Sequence, residues 1–326
     1  MRFSSVLALL CCLTGAAHAA PASPTTTPHK AYLSLIIDDL GQNLPRDRRV
    51  LALPGPVTTA VMPDTPHAAE FAREAYKAGK IVILHMPMDP ATGPFAWHPD
   101  LPLDELAKRL DAAFKAVPYT SGINNHMGSR MTSQPQAMAW LMENLQQRHK
   151  FFVDSRTSAQ TVAAAQAQKI GLASVSRDVF LDDVRTEEAI ATQLQTAIKL
   201  ARKQGSAVMI GHPYPQTLAV LERELPKLKA QGIEWIDIRQ MIGVRSEEQL
   251  DFLRTRHCDE FQGPLLSLPV GATTMTQVLM HARVQHRVVL DSSTGTAPGP
   301  GTATGAESTR GPAHRTGRVS ITAAAG

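Results

Sequence analysis

From Tyr32 onward the chain alternates short apolar runs with segments of helical period, about eight times over, and this alternation restricts it to a parallel α/β architecture. The strand candidates are YLSLII, VTTAVM, KIVILHM, SGINN, FFVD, LASVS, SAVMIGH and IEWIDI. Between them the apolar spacing predicts helices over 65–78, 103–116, 135–149, 157–170, 187–203 and 214–230. Gly79, Gly171, Gly205 and Gly232 stand where helices stop, and Thr186 stands where one starts. Pro226 should kink or split the last helix. A doubly wound sheet and a barrel both satisfy this pattern. No G-x-G-x-x-G follows the first strand, which argues against dinucleotide binding.

The ends of the chain read differently. Residues 1–19 have an early Arg2, an apolar stretch from Val6 to Leu13 and an Ala17-His18-Ala19 end, the pattern of a cleaved secretory signal. Export to the periplasm or the cell exterior is therefore expected, with no stable membrane insertion, because no apolar stretch reaches the roughly 20 residues of a span. Residues 20–30 read as a Pro- and Thr-rich linker, residues 31–242 as the α/β domain, and residues 243–326 as an extension. Within the extension VRSEEQLDFLRTRH suits one more helix, while from Ala297 the Gly-, Pro-, Ala- and Thr-rich composition predicts a disordered tail. Of the 3 cysteines, Cys11 and Cys12 leave with the signal, so Cys258 has no internal partner and stability must come from the core. The formal net charge of +4 comes from scattered basic residues, which does not suggest nucleic acid.

Function is written at the strand ends. The run LSLII stops on two adjacent carboxylates, Asp38 and Asp39; His85 closes KIVILH, His126 follows SGINN, Asp154 closes FFVD, and His212 follows AVMIG. In a parallel sheet these residues share the carboxyl face, where α/β barrels build their sites. Successive strand residues face opposite ways, so neighbouring carboxylates share a site only where the strand breaks into a loop, and Gly41 is expected to supply that break. Two His and one carboxylate are the donor set of hydrolytic zinc sites, here Asp39, His85 and His126. Asp38 is then the candidate general base, His212 the proton donor to the leaving group, and Asp154 the carboxylate that holds its tautomer.

The motifs IIDDLGQN, LHMPMDP, GINNHMGSRM, FFVDSRT, RDVFLDD and IGHPYP, in this order over about Ala31 to Ile242, resemble the divergent polysaccharide deacetylases. The resemblance implies a distorted (β/α) barrel and metal-dependent removal of acetyl groups from amino sugars at the cell envelope. It assigns Asp38 as the base, Asp39 as the metal-binding aspartate, His212 as the general acid and Asp154 as a supporting carboxylate. The wider superfamily takes both metal histidines from H-x-x-x-H, whereas HMPMD has Asp89 in the second place, so either His126 or Asp89 completes the set or the metal site has degenerated.

Candidate substrate contacts are Arg130, as an acetyl-group arginine, Asn125, which otherwise holds its loop through backbone hydrogen bonds, and Trp97, whose ring in the Pro-rich loop GPFAWHPD either packs that loop or stacks on a sugar. Asp182 and Asp183 either support the site or cap the helix after Thr186. The expected activity is metal-dependent deacetylation of an acetylated saccharide or cell-envelope glycan, with a divalent ion, zinc foremost. The alternative is a non-catalytic saccharide-binding or envelope-assembly protein on the same fold.

Overall fold

The computed structural model describes residues 30–255 and two further strands, Val288–Leu290 and Val319–Ile321. The leader, most of the linker and most of the extension lie outside the described residues. In chain order the elements are β1 (Ala31–Leu40), α1 (Leu44–Ala52), β2 (Val57–Val61), α2 (Ala68–Lys77), β3 (Ile81–Met88), α3 (Leu103–Ala116), β4 (Gly122–Met127), α4 (Pro135–Gln147) and β5 (Phe151–Asp154). They continue as α5 (Ala163–Ile170), β6 (Ser174–Ser176), β7 (Val179–Phe180), α6 (Glu187–Gln204), β8 (Ser206–Gly211), α7 (Pro215–Glu224), β9 (Ile233–Trp235) and α8 (Ile238–Thr255).

The strands form one parallel sheet ordered β6-β5-β4-β3-β2-β1-β8-β7, with β9 beside the first residues of β1. This is a half-barrel of the deacetylase type. Its edge strands β6 and β7 are joined in the chain by only Arg177 and Asp178.

Parity along the strands sorts the side chains between two cores. Leu33, Leu35 and Ile37 of β1, Val82, Leu84 and Met86 of β3, and Met209 of β8 face the surrounding helices. Ile36, Ile81, Ile83, Val153, Val208 and Ile210 face the inside, where they pack on Ile236, Ile238, Met241 and Ile242. The start of α8 is thus a plug for the half-barrel, which explains why the strands are apolar on both faces. The same parity carries Asp38, His85, Asn124, His126 and His212 to the inner side, above the plug.

Most predicted elements are found within a few residues of their expected bounds. Pro226 does end α7, and the chain continues in 3-10 turns at Leu225–Lys227 and Lys229–Gln231. Within residues 31–242 two elements were not read from the sequence. One is α1, capped by Asn43, whose side chain accepts from the Arg46 N–H at 3.0 Å; the other is the two-residue β7. Helix α8 runs without a break through position 242, where the domain boundary was expected. In the stretch read as tail, Val319–Ile321 pairs antiparallel with Val288–Leu290.

If α8 is the plug, Met241→Ala should lower unfolding free energy by about 2–5 kcal/mol, the range for emptying a buried methionine site. Val184→Ala, at a residue 58% exposed, should leave it nearly unchanged. Chemical denaturation of the full chain checks both, and a small loss at Met241 would contradict the plug.

Candidate metal centre and catalytic site

Asp38 faces the inner side by parity, and Asp39 should then face the helices. It does not, because β1 carries a bulge: Ile37 pairs with Thr59 and Leu40 with Val61, so two residues stand opposite Ala60 alone. Asp39 takes a left-handed conformation at φ 57, which Asp tolerates better than most residues. This corrects the expected role of Gly41. The strand continues to Leu40, and the bulge within it brings the carboxylates together; Gly41 comes after, at φ 100, turning the chain where a Cβ would lie 2.3 Å from Thr65 Oγ1. The turn is pinned by the buried Asp47 carboxylate, which accepts the N–H groups of Gly41 and Asn43 at 2.9 and 3.1 Å.

His85 lies inside β3, three residues before its end, and is buried. Its Nδ1 donates to Asn124 Oδ1 at 2.8 Å, and Asn124 Nδ2 donates to Asp38 Oδ1 at 2.8 Å. With its Nδ1 proton committed to Asn124, His85 keeps Nε2 as the nitrogen that faces inward and, once deprotonated, can bind a metal. Nε2 is 3.3 Å from Asp39 Oδ1 and 3.1 Å from His126 Nδ1, and His126 Nδ1 is 3.1 Å from Asp39 Oδ1. These three atoms can hold a metal ion. Their spacing is close to the roughly 3.3–3.4 Å between ligand atoms of a tetrahedral site with bonds of about 2.0–2.1 Å. Asp39 Oδ1 is buried without a hydrogen bond of acceptable geometry despite both imidazoles beside it. Two imidazole nitrogens and a carboxylate oxygen converging at this spacing fit a cation between them.

His212 closes the inner row just beyond β8, with Nε2 3.8 Å from Asp39 Oδ2. Its Nδ1 donates to Asp182 Oδ1 at 2.9 Å, while Asp182 Oδ2 accepts from the His212 N–H at 2.6 Å and from Thr217 Oγ1 at 2.8 Å. The carboxylate that orients His212 is therefore Asp182 and not Asp154. By parity Asp154 points to the outer side with Phe152, where it accepts from the Arg156 N–H at 2.8 Å and Thr161 Oγ1 at 2.9 Å. The cap of α6 is Thr186, whose hydroxyl accepts from the Ala189 N–H at 3.2 Å, leaving Asp182 to the histidine.

Two of the three candidate substrate residues take structural roles. Trp97 is fully buried against Trp140, with ring centroids 5.7 Å apart, so it packs the loop and offers no face to a sugar. Asn125 is also buried; it accepts from the Ser155 N–H at 2.9 Å and donates to Met127 O at 2.7 Å, tying the loops after β4 and β5 together. Arg130 is exposed on the rim, 3.5 Å from Asp89. Asp89 itself accepts from His98 Nδ1 at 3.0 Å and is not among the three converging donors.

Burial pushes the Asp38 carboxyl up. Asp39 feels the same push, but His126 and His85 hold it far below the usual carboxylate range. Against its own burial, His85 is raised to about 9 by the charges of Asp38 and Asp39. His212 is raised too, because its hydrogen bond to Asp182 and the charge of Asp38 outweigh desolvation. Adjacent carboxylates thus have opposite properties, one favouring a proton and one remaining charged.

Residues 35–242 match the family model of the divergent polysaccharide deacetylases. The uncharacterized protein YibQ of Escherichia coli (strain K12) is 41% identical over 195 residues, which are 59% of this chain and 61% of that protein. An uncharacterized protein of Haemophilus influenzae is 38% identical over 203 residues, 61% of this chain and 72% of that one. Among solved structures, an uncharacterized protein from Agrobacterium tumefaciens C58 shares the fold, with a TM-score of 0.62, 21% identity, and coverage of 66% of this chain and 90% of that one.

Asn124 emerges as the residue that connects Asp38 to His85. Asn124→Ala should weaken zinc binding about 10–100-fold, as losses of supporting hydrogen bonds to metal ligands do. Asp89→Asn should leave it unchanged. Competition with a chromophoric chelator measures both, and the reverse ranking would move the ligand to Asp89.

Proposed function

This chain belongs to the divergent polysaccharide deacetylase family, and from that membership and the geometry of its rim we propose a metal-dependent hydrolase that removes N- or O-linked acetyl groups from a cell-envelope saccharide. One observation carries the reading: three donor atoms converge 3.1–3.3 Å apart beside a buried carboxylate and an oriented imidazole. A binding protein has no need of the last two.

Asp39, His85 and His126 would hold the ion, and two imidazoles with one carboxylate suit zinc. A divalent cation there supplies Lewis acidity to the acetyl carbonyl and lowers the pKa of water. Asp38 accepts the proton of the attacking water; Asn124 engages its Oδ1, leaving Oδ2 directed toward the His85 side at 3.6 Å. Burial raises the proton affinity of this carboxylate, which suits a general base. His212 gives a proton from Nε2 to the leaving nitrogen or oxygen, and Asp182 steadies the imidazolium through Nδ1. The products are acetate and a free amine or hydroxyl.

In this reading the leader at 1–19 directs the protein to the periplasm or the cell exterior, where acetylated glycans are the available substrates. No helix among the described residues is long and apolar enough to cross a membrane. Intact mass of the exported protein should give Ala20 as its first residue, and a retained leader would contradict the placement.

Asp38→Asn should reduce acetate release from N-acetylated oligosaccharides by about 10²–10⁴-fold while leaving zinc content intact. Parallel enzymatic acetate assay and elemental analysis check this. Loss of the zinc together with the activity would place Asp38 among the ligands and overturn the division of roles between the two aspartates.

A further inference from the structure

Two arginines on the β5–β7 side of the rim have no part in the hydrolysis described above. Arg156 follows β5 by two residues, in a left-handed conformation at φ 49, and Arg177 follows β6 directly. With Ser158, Ala159, Asp178 and Leu200 they line a cavity of about 370 Å³, within the roughly 300–1,000 Å³ of small-ligand sites. The Asp178 carboxylate is already engaged, by the Arg245 guanidinium and by the Val208 N–H at 2.7 Å. Arg177 is fastened through Nε to Ser155 O at 2.6 Å and through Nη2 to Arg156 O at 2.9 Å. Among the described residues its Nη1 has no partner, and the Arg156 side chain makes neither a hydrogen bond nor an ion pair.

Two guanidiniums therefore share one cavity with a hydroxyl and no free carboxylate. Burial first, and then the charge of Arg156, lower the proton affinity of Arg177 against the opposing charges of Asp38, Asp154 and Asp178. An anion between them offsets the repulsion of the two guanidiniums. A planar carboxylate matches the guanidinium fork in a bidentate pair.

The cavity is joined to the candidate catalytic centre by two chains of contact. Ser155, whose carbonyl holds Arg177, accepts through Oγ from Asn124 Nδ2 at 3.3 Å, and that same amide holds Asp38. Arg177 also lies over the Phe180 ring at 5.0 Å, and Phe180 meets the His212 ring edge-on at 5.4 Å. Arg177 in the cavity wall is thus two contacts from His212 and three from Asp38.

We propose that this cavity binds a carboxylate of the substrate, so that the saccharide is an acidic one. This deepens the deacetylase reading and rests on it for the position of the acetyl group, but binding is tested without turnover. The probes are a hyaluronan tetrasaccharide, which alternates N-acetylglucosamine with glucuronate, and chitotetraose, which is N-acetylglucosamine alone.

Isothermal titration calorimetry on the zinc-loaded full chain at low salt should give the acidic probe at least about tenfold the affinity of the neutral one, falling as salt is raised. Arg156→Gln and Arg156→Glu should remove the preference and leave chitotetraose binding unchanged, and Arg156→Lys should keep part of it. Equal affinities, no binding of the acidic probe, or a preference that survives both substitutions each overturn the proposal. Acetate release is read separately. A preference without any acetate release would defeat the hydrolase reading and leave the carboxylate site standing, and acetate release without a preference would do the reverse.

Discussion

The site depends on a conflict between strand geometry and chemistry at Asp38 and Asp39. A regular strand separates adjacent side chains to opposite faces, and at this point the outer face is a packed layer of Leu, Val and Met under helices. An ionised carboxylate there would be costly, since no partner awaits it. The bulge resolves the conflict by turning Asp39 back to the inner side, at the expense of one left-handed non-glycine residue. Everything nearby supports that local arrangement: Asp47 fixes the following turn, and His85 and His126 meet the redirected carboxylate.

The neighbouring carboxylates are then divided by their surroundings. Asp38 is buried above the apolar plug, and burial raises its proton affinity even against the Asn124 amide that it accepts; Asp39 stands against two imidazoles and remains charged. The same Asn124 relays to His85 and fixes its tautomer, which couples the base side of the site to the ligand side through one buried amide. On the other side Asp182 does for His212 what Asn124 does for His85.

Much of this was legible in the sequence, for reasons that parity makes plain. Ile36 and Asp38, Ile83 and His85, and Ile210 and His212 are each two apart, so the residues that line the inner core also predict which polar residues follow them inward. Parity groups Asp38, His85, His126 and His212, and Asp39 joins them only through the bulge. The same rule, applied to β5, would have set Asp154 aside, because it shares its face with Phe152. Asp182 lies beyond β7, a strand of two residues with no periodicity to read, and its pairing with His212 depends on the register between β7 and β8. Of the two roles open to Trp97, packing is the one observed, because its Pro-rich loop folds back on the end of β3, where the Trp97 N–H donates to Pro87 O at 3.0 Å.

The central claim is that Asp39, His85 and His126 together bind a divalent cation. Elemental analysis of the purified full chain after reconstitution with zinc, beside Asp39→Ala, His85→Ala and His126→Ala carried through the same steps, tests it most directly. The account predicts close to one ion per chain in the parent and its loss in all three variants. A parent that binds no ion, or a His126→Ala protein that keeps one, would contradict it.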